Sequence, residues 1–237
     1  MIGSLVSPEV RARVRGLALP IALAFGRMGL TPNALTVIGF GISVIAAISA
    51  AQQLWIAAGL LVIFGGIFDL FDGALARATN RVSRLGAFLD SVFDRAGEAV
   101  LYLGIAIGCL RAGFQEGAIL AAAATAASFM VSYTRAKSES LGFTPGTGMA
   151  NVGIAPREVR LVILAVGLLL VGVFGGVQDF AGLCASRPEG CDADDGSAMT
   201  NNFLMTLTLG SIAVLATVTT IQRIVHVVRQ QPSEEHQ

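Results

Sequence analysis

The chain has 237 residues, of which 54% are hydrophobic and only 14% charged, and its mean hydropathy is +0.72. That composition excludes an ordinary soluble domain and points to an integral membrane protein. Sixteen basic residues balance sixteen acidic ones, so net charge gives no reason to expect a nucleic-acid partner.

The first stretch, residues 8–28, repeats Val10, Val14, Leu17 and Ile21 at helical spacing among Arg11, Arg13, Arg15 and Arg27. It reads as an amphipathic helix lying on an anionic membrane face, interrupted at Pro20, and it lacks the pattern of a secretory signal. Thr31-Pro32-Asn33 then opens a first span, Ala34 to about Ala51, with Thr31 as cap and Pro32 in the first turn. Trp55 is expected at a membrane interface. Further spans follow at about 54–78, 85–110, 117–140, 157–177 and 203–228. Two loops separate the later ones, a glycine- and proline-rich one at 141–156 and an acidic one at 178–200. Six spans of roughly 20 residues use about half the chain and leave no room for a separate soluble domain.

The expected architecture is therefore all-α, with a juxtamembrane segment at 1–30 and a six-helix membrane domain at 31–237. Lysine and arginine gather in the N-terminal arm, at 77–84, at 135–160 and at the C-terminal end, where Arg223 and Arg229 close the sixth span. An even number of spans puts all four regions on one side, which the positive-inside rule makes cytoplasmic, together with both termini. Histidine chemistry is not expected, because His226 and His236 both lie near the C-terminus. Cys184 and Cys191 share the acidic loop and can pair only if it faces an oxidising compartment.

The informative stretch is 69–94. Asp69 and Asp72 are an i,i+3 pair near the end of the second span, and Asp90 and Asp94 an i,i+4 pair near the start of the third. A charge at the centre of a membrane helix costs at least about 2.5–3.5 kcal/mol, so four acids need a cationic partner. Hard oxygens from two facing helices suit a divalent metal. Small residues, Gly73, Ala76 and Gly86, open the acidic face to something large, and Arg77 can reach a phosphate. Two ions between paired carboxylates would neutralise a diphosphate in phosphoryl transfer. The end of the fourth span carries a second basic group, Ser132, Arg135 and Lys137, followed by Arg157 and Arg160, which fits an acceptor carrying its own phosphate.

Asp69-x2-Asp72-Gly73-x2-Ala76-Arg77-x8-Gly86-x3-Asp90-x3-Asp94 resembles, at all eight fixed positions, the signature of the CDP-alcohol phosphotransferases. Pro32-Asn33-x-Leu35-Thr36 is similar to that family's lead-in to its first span. The resemblance covers residues 31–160 well and the last two spans only by hydropathy. It implies a six-helix enzyme, often a homodimer, that moves a phosphate-bearing group from a CDP-linked donor to an alcohol and releases CMP. It further implies that Asp69, Asp72, Asp90 and Asp94 hold two Mg2+ or Mn2+ ions, with Asp94 also the general base. Asn33, Thr36, Asp69, Gly73, Ala76, Arg77 and Gly86 would then line the donor site. The second basic group is similar to that of phosphatidylinositol phosphate synthases. That implies CDP-diacylglycerol, or a CDP-linked archaeal lipid, as donor and inositol phosphate as acceptor. Glycerol 3-phosphate, the acceptor of a phosphatidylglycerophosphate synthase, is the alternative. Ion or metal transport is a remote one, since the acids lie at one depth and matched interrupted helices are missing. Glu98 is expected to be structural and to pair with a basic or polar neighbour, Arg95 being the adjacent candidate.

Overall fold

A computed structural model describes residues 19–143, 152–174 and 195–230, and these are helical with no strand among them. Most of the amphipathic arm, including Arg11, Arg13 and Arg15, lies outside the described residues. So do Cys184, Cys191 and residues 144–151 of the glycine-rich loop. The elements are α1 (19–27), α2 (Pro32–Ala51), α3 (Trp55–Ala78), α4 (Arg84–Arg111), α5 (Gln115–Ser140), α6 (Arg157–Phe174) and α7 (Asp195–Gln230).

The local signals explain where these helices start. Thr31 caps α2 by accepting a hydrogen bond from the Ala34 amide at 3.2 Å, with Pro32 in the first turn as expected. Ser83 caps α4 by accepting from the Gly86 amide at 3.0 Å, so the basic connector between α3 and α4 is only a short turn. α2 packs against both α3 and α4, and α6 packs on α3. α7 packs on α5 and α6, and α5 packs on α4. The helices thus close a ring in the order α2, α3, α6, α7, α5, α4.

Bilayer lipid is as apolar as a leucine side chain, so helices hold together here by close packing more than by the hydrophobic effect. On α4, an added Cβ at Gly104 would overlap the Ala47 carbonyl, and one at Gly108 the Ala50 carbonyl, so α2 and α4 meet backbone to backbone. One apolar core, including Leu101, Ile105, Leu164, Leu168, Leu209 and Ile212, fills the ring. A smaller core joins α1 to α3, where Phe25 lies 5.8 Å from Phe68 and 5.7 Å from Phe71 by ring centroids.

Two expectations change. Trp55 is not an interfacial anchor: it is 7% exposed, and an added Cβ at Gly108 would lie 2.7 Å from its ring. The last helix begins at Asp195, inside the stretch expected to be an acidic loop, because polar helical turns carry no hydropathy signal. Among the described residues, four helices are long and apolar enough to cross a membrane by length and composition: α2, α3, α5 and α7 over Met199–Gln230. α4 and α6 fall short of that measure because they carry charges, Asp90, Asp94, Arg95 and Glu98 on one and Arg157, Glu158 and Arg160 on the other.

Candidate active site

α2 faces the first acidic pair with a threonine and a glycine one turn apart. Thr36 Oγ1 donates to Asp72 Oδ2 at 2.7 Å, and both residues are buried. An added Cβ at Gly39 would stand 3.2 Å from Asp69 Oδ1, so the glycine lets this carboxylate come close to the α2 backbone. From α6, Arg157 reaches in between the helices. Its Nη1 lies 2.7 Å from Asp69 Oδ2 and 2.9 Å from Asp94 Oδ1. Asp94 Oδ2 also pairs with Arg95 at 3.3 Å.

Two cavities flank the acids. The first, about 280 Å³, lies between α2 and the α3–α4 turn. Asn33 and Thr36 line it from α2, Asp72, Gly73, Ala76 and Arg77 from α3, and Gly86 and Asp90 from α4. Its glycines leave little spare room: an added Cβ at Gly86 would lie 3.1 Å from Asn33 Oδ1, and one at Gly73 would lie 3.2 Å from Arg77 Nη1, so either side chain would have to shift by a few tenths of an ångström. The second cavity, about 550 Å³, is lined by Asp90, Asp94, Ser132, Arg135, Arg157 and Arg160, among others. Asp90 stands on the wall of both. Asp69 lines neither, and its Oδ2 is paired with Arg157.

The second basic group divides. Ser132, Arg135 and Arg157 reach the larger cavity, with Arg135 also paired to Glu139 at 2.9 Å. Lys137 is exposed and does not line it. Arg160 is 1% exposed, and its guanidinium is held by Glu98: Nε donates to Oε1 at 3.0 Å and Nη2 to Oε2 at 2.9 Å. Nη1 donates to the Ala155 carbonyl at 3.1 Å. Arg95, the neighbour in sequence, is not the partner of Glu98; it pairs with Asp94.

Arg223, expected as a charge flanking the last span, also lines the larger cavity. It is 4% exposed; its Nε donates to the Val152 carbonyl at 3.0 Å and its Nη1 to the Val131 carbonyl. A signal was present in the sequence, since Thr219 and Arg223 are i,i+4 and share one face of the helix. The same face of α7 holds the entry to α6. Ala155 N donates to Thr219 Oγ1 at 3.0 Å, and Ile154 N to Gln222 Oε1 at 3.2 Å. Gly153 turns there with φ +115, where a Cβ would collide with Thr219.

Among the described residues, no three Asp, Glu, His or Cys side chains converge into a ready metal cage. The donors nonetheless suit a hard divalent ion, because carboxylates of two different helices already share one cationic nitrogen at 2.7 and 2.9 Å. Nη1 of Arg157 marks a point at which a cation between α3 and α4 is served by both.

Residues 29–186 match the family model for CDP-alcohol phosphatidyltransferase. The chain belongs to that family. Its membership makes it a membrane enzyme of phospholipid biosynthesis. Among its relatives, the archaetidylinositol phosphate synthase of Pyrococcus horikoshii is 37% identical over 169 residues, 71% of this chain and 85% of that one. The phosphatidylinositol phosphate synthase of Streptomyces avermitilis is 31% identical over 234 residues, 96% of this chain and 84% of that one. The crystal structure of the Mycobacterium tuberculosis phosphatidylinositol phosphate synthase with CDP-DAG bound superposes with a TM-score of 0.67 at 27% identity. The match covers 89% of this chain and 92% of that one. A crystal structure of the same mycobacterial enzyme in complex with manganese and citrate gives 0.67 at 26% identity, over 89% and 88% of the two chains.

Proposed function

We propose that this CDP-alcohol phosphatidyltransferase moves the phosphatidyl group of CDP-diacylglycerol, or the corresponding group of a CDP-linked archaeal lipid, onto inositol phosphate, yielding a phosphatidylinositol phosphate and CMP. The observation that carries this reading is the shared wall: Asp90 separates a cavity holding Arg77 from a larger one holding Arg135 and Arg157. A diphosphate and a phosphorylated alcohol can therefore approach the same carboxylates from two sides. The names of the relatives at 31% and 37% identity point to the same acceptor.

In this reading Arg77 holds the donor diphosphate, while the small Gly73, Ala76 and Gly86 let the nucleotide lie against the helix backbones. Asn33 and Thr36 complete that wall, and Thr36 keeps Asp72 turned into it. Asp69, Asp72, Asp90 and Asp94 hold two divalent ions, Mg2+ or Mn2+, which when bound neutralise the diphosphate and favour attack at phosphorus. Ser132, Arg135 and Arg157 orient the acceptor phosphate. Asp94 takes the proton from the acceptor hydroxyl, whose oxygen bonds to the lipid-bearing phosphorus. The bond from that phosphorus to the CMP oxygen breaks, and CMP leaves with the electron pair. Arg160 stands on the cavity wall with its guanidinium engaged by Glu98 and the Ala155 carbonyl, and it acts through that pair. Lys137 belongs to the flanking charge that orients the protein, with the active site and both termini cytoplasmic and six helices crossing the bilayer. Assembly as a homodimer is part of the same reading.

The test is CMP release by the purified protein with Mg2+ and CDP-diacylglycerol, with inositol phosphate and glycerol 3-phosphate offered separately. Release with inositol phosphate alone is expected. Release with glycerol 3-phosphate alone would keep the reaction class and overturn the acceptor.

A further inference from the structure

Arg157 and Arg160 stand one turn apart at the start of α6, and the structure gives them opposite environments. Arg160 is sealed, with both carboxylate oxygens of Glu98 and the Ala155 carbonyl as partners. Arg157 reaches the acids through Nη1 alone, while its Nε is buried without a hydrogen-bond partner among the described residues. A bidentate guanidinium–carboxylate pair fixes distance and plane together, which a single contact does not. Glu98 sits on α4 one turn beyond Asp94, so this pair sets the depth of α6 against the helix that carries the second acidic pair. On its far side the start of α6 is tied to α7 through Thr219, Gln222 and Gly153. Arg157 thus stands between two clamps, one at Ile154 and Ala155 and the other at Arg160.

We propose that Glu98 and Arg160 form a positioning device that delivers the Arg157 guanidinium to Asp69 and Asp94. There Arg157 contends with a divalent cation for the same two oxygens, and from there it turns to the acceptor anion. The proposal rests on the reading of Asp69 and Asp94 as metal ligands and of Arg157 as the partner of the acceptor phosphate. Glu98 and Arg160 touch no substrate; they act through Arg157.

Mn2+ binding to the full chain in detergent, followed by the paramagnetic resonance of free Mn2+ and with no substrate present, tests this directly. Arg157→Ala removes the competing cation and should tighten Mn2+ binding by about tenfold, and Glu98→Gln should shift it in the same direction by about threefold. Glu98→Gln added to Arg157→Ala should then change the affinity by less than about twofold, because the device has lost the group it acts on. If Glu98→Gln does not fold, Arg160→Lys keeps the charge but not the bidentate geometry and should give the same pattern. In turnover, Glu98→Gln should raise the acceptor KM by about tenfold and leave the donor KM within about twofold. Two outcomes overturn the positioning role: effects of Glu98 and Arg157 that multiply, or a Glu98→Gln protein of lower melting temperature with unchanged Mn2+ affinity. A wild-type protein that binds no Mn2+ overturns the metal reading and the proposal with it.

Discussion

Thr36 Oγ1 stands 2.7 Å from Asp72 Oδ2, joining α2 to α3 by a buried hydrogen bond between residues 36 apart in sequence. The threonine hydroxyl also lies 3.2 Å from the Pro32 carbonyl of its own helix. The contact keeps one carboxylate of the first pair aimed at the smaller cavity, whose wall both residues share.

Replacing Thr36 with valine keeps the shape and removes the donor. A hydrogen bond to a charged group contributes about 1.5–3 kcal/mol, so kcat/KM for the CDP-linked donor should fall by about tenfold or more. CMP release at varied donor concentration measures this. An unchanged kcat/KM would mean that Asp72 holds its orientation without Thr36.

The glycines of α4 make a prediction about stability instead of chemistry. Gly104→Ala drives a methyl group into the Ala47 carbonyl, which is backbone and cannot rotate away. Overpacking of this kind costs about 1–3 kcal/mol and should lower the melting temperature in detergent. Gly66→Ala, on α3, is the control: nothing lies within 4 Å of the added carbon, and the melting temperature should hold or rise. Equal melting of both variants would mean that α2 and α4 part easily at this contact.

What could be read from the sequence and what could not follow from the range of the interactions. Asp69, Asp72, Asp90 and Asp94 are spaced three and four apart, and local periodicity places each pair on one face of its helix. Thr31 and Pro32 announce the start of α2 for the same reason, through contacts inside one turn. Arg157 meets Asp69 across 88 positions, and Arg160 meets Glu98 across 62. No local pattern carries such pairings. Arg157 and Arg160 look alike in sequence, yet one faces the acids and the other is sealed behind them, because that division is set by how α6 lies between α3 and α7. Arg223 was hidden by a general rule: a basic residue near the end of a span usually marks topology. Its side chain instead turns inward to carbonyls of α5 and of the turn before α6. The place of α2 between α3 and α4 was equally illegible, since the order of helices round a ring depends on which small residues permit close approach.

Arg135 and Lys137 lie two residues apart near the end of α5, and the structure separates them. Arg135 lines the larger cavity, while Lys137 is exposed and outside it. Arg135→Ala should raise the KM for a phosphorylated acceptor by about tenfold, the loss of one charge-assisted hydrogen bond, with the donor KM unchanged. Lys137→Ala should leave both constants within about twofold. Steady-state kinetics on the two variants in parallel decides the matter. A larger acceptor effect at Lys137 than at Arg135 would move the acceptor phosphate to another wall.

Asp94 carries the most demanding role, and its neighbours make a clean variant available. Its Oδ1 and Oδ2 pair with Arg157 and Arg95, and Arg157 keeps a second carboxylate, Asp69, at 2.7 Å. Asp94→Asn therefore preserves volume and leaves Arg157 one ionic partner, so the fold should survive with a melting temperature close to that of the wild type. The amide cannot accept the proton of the attacking hydroxyl. General-base catalysis contributes about 10²–10⁴-fold, and kcat for CMP release should fall within that range. Loss of a metal ligand alone would behave differently, because saturating Mn2+ would restore much of the rate. Persistence of the defect across a wide Mn2+ titration is thus the expected result, and recovery at high Mn2+ would reduce Asp94 to a ligand and reassign the proton to another acceptor.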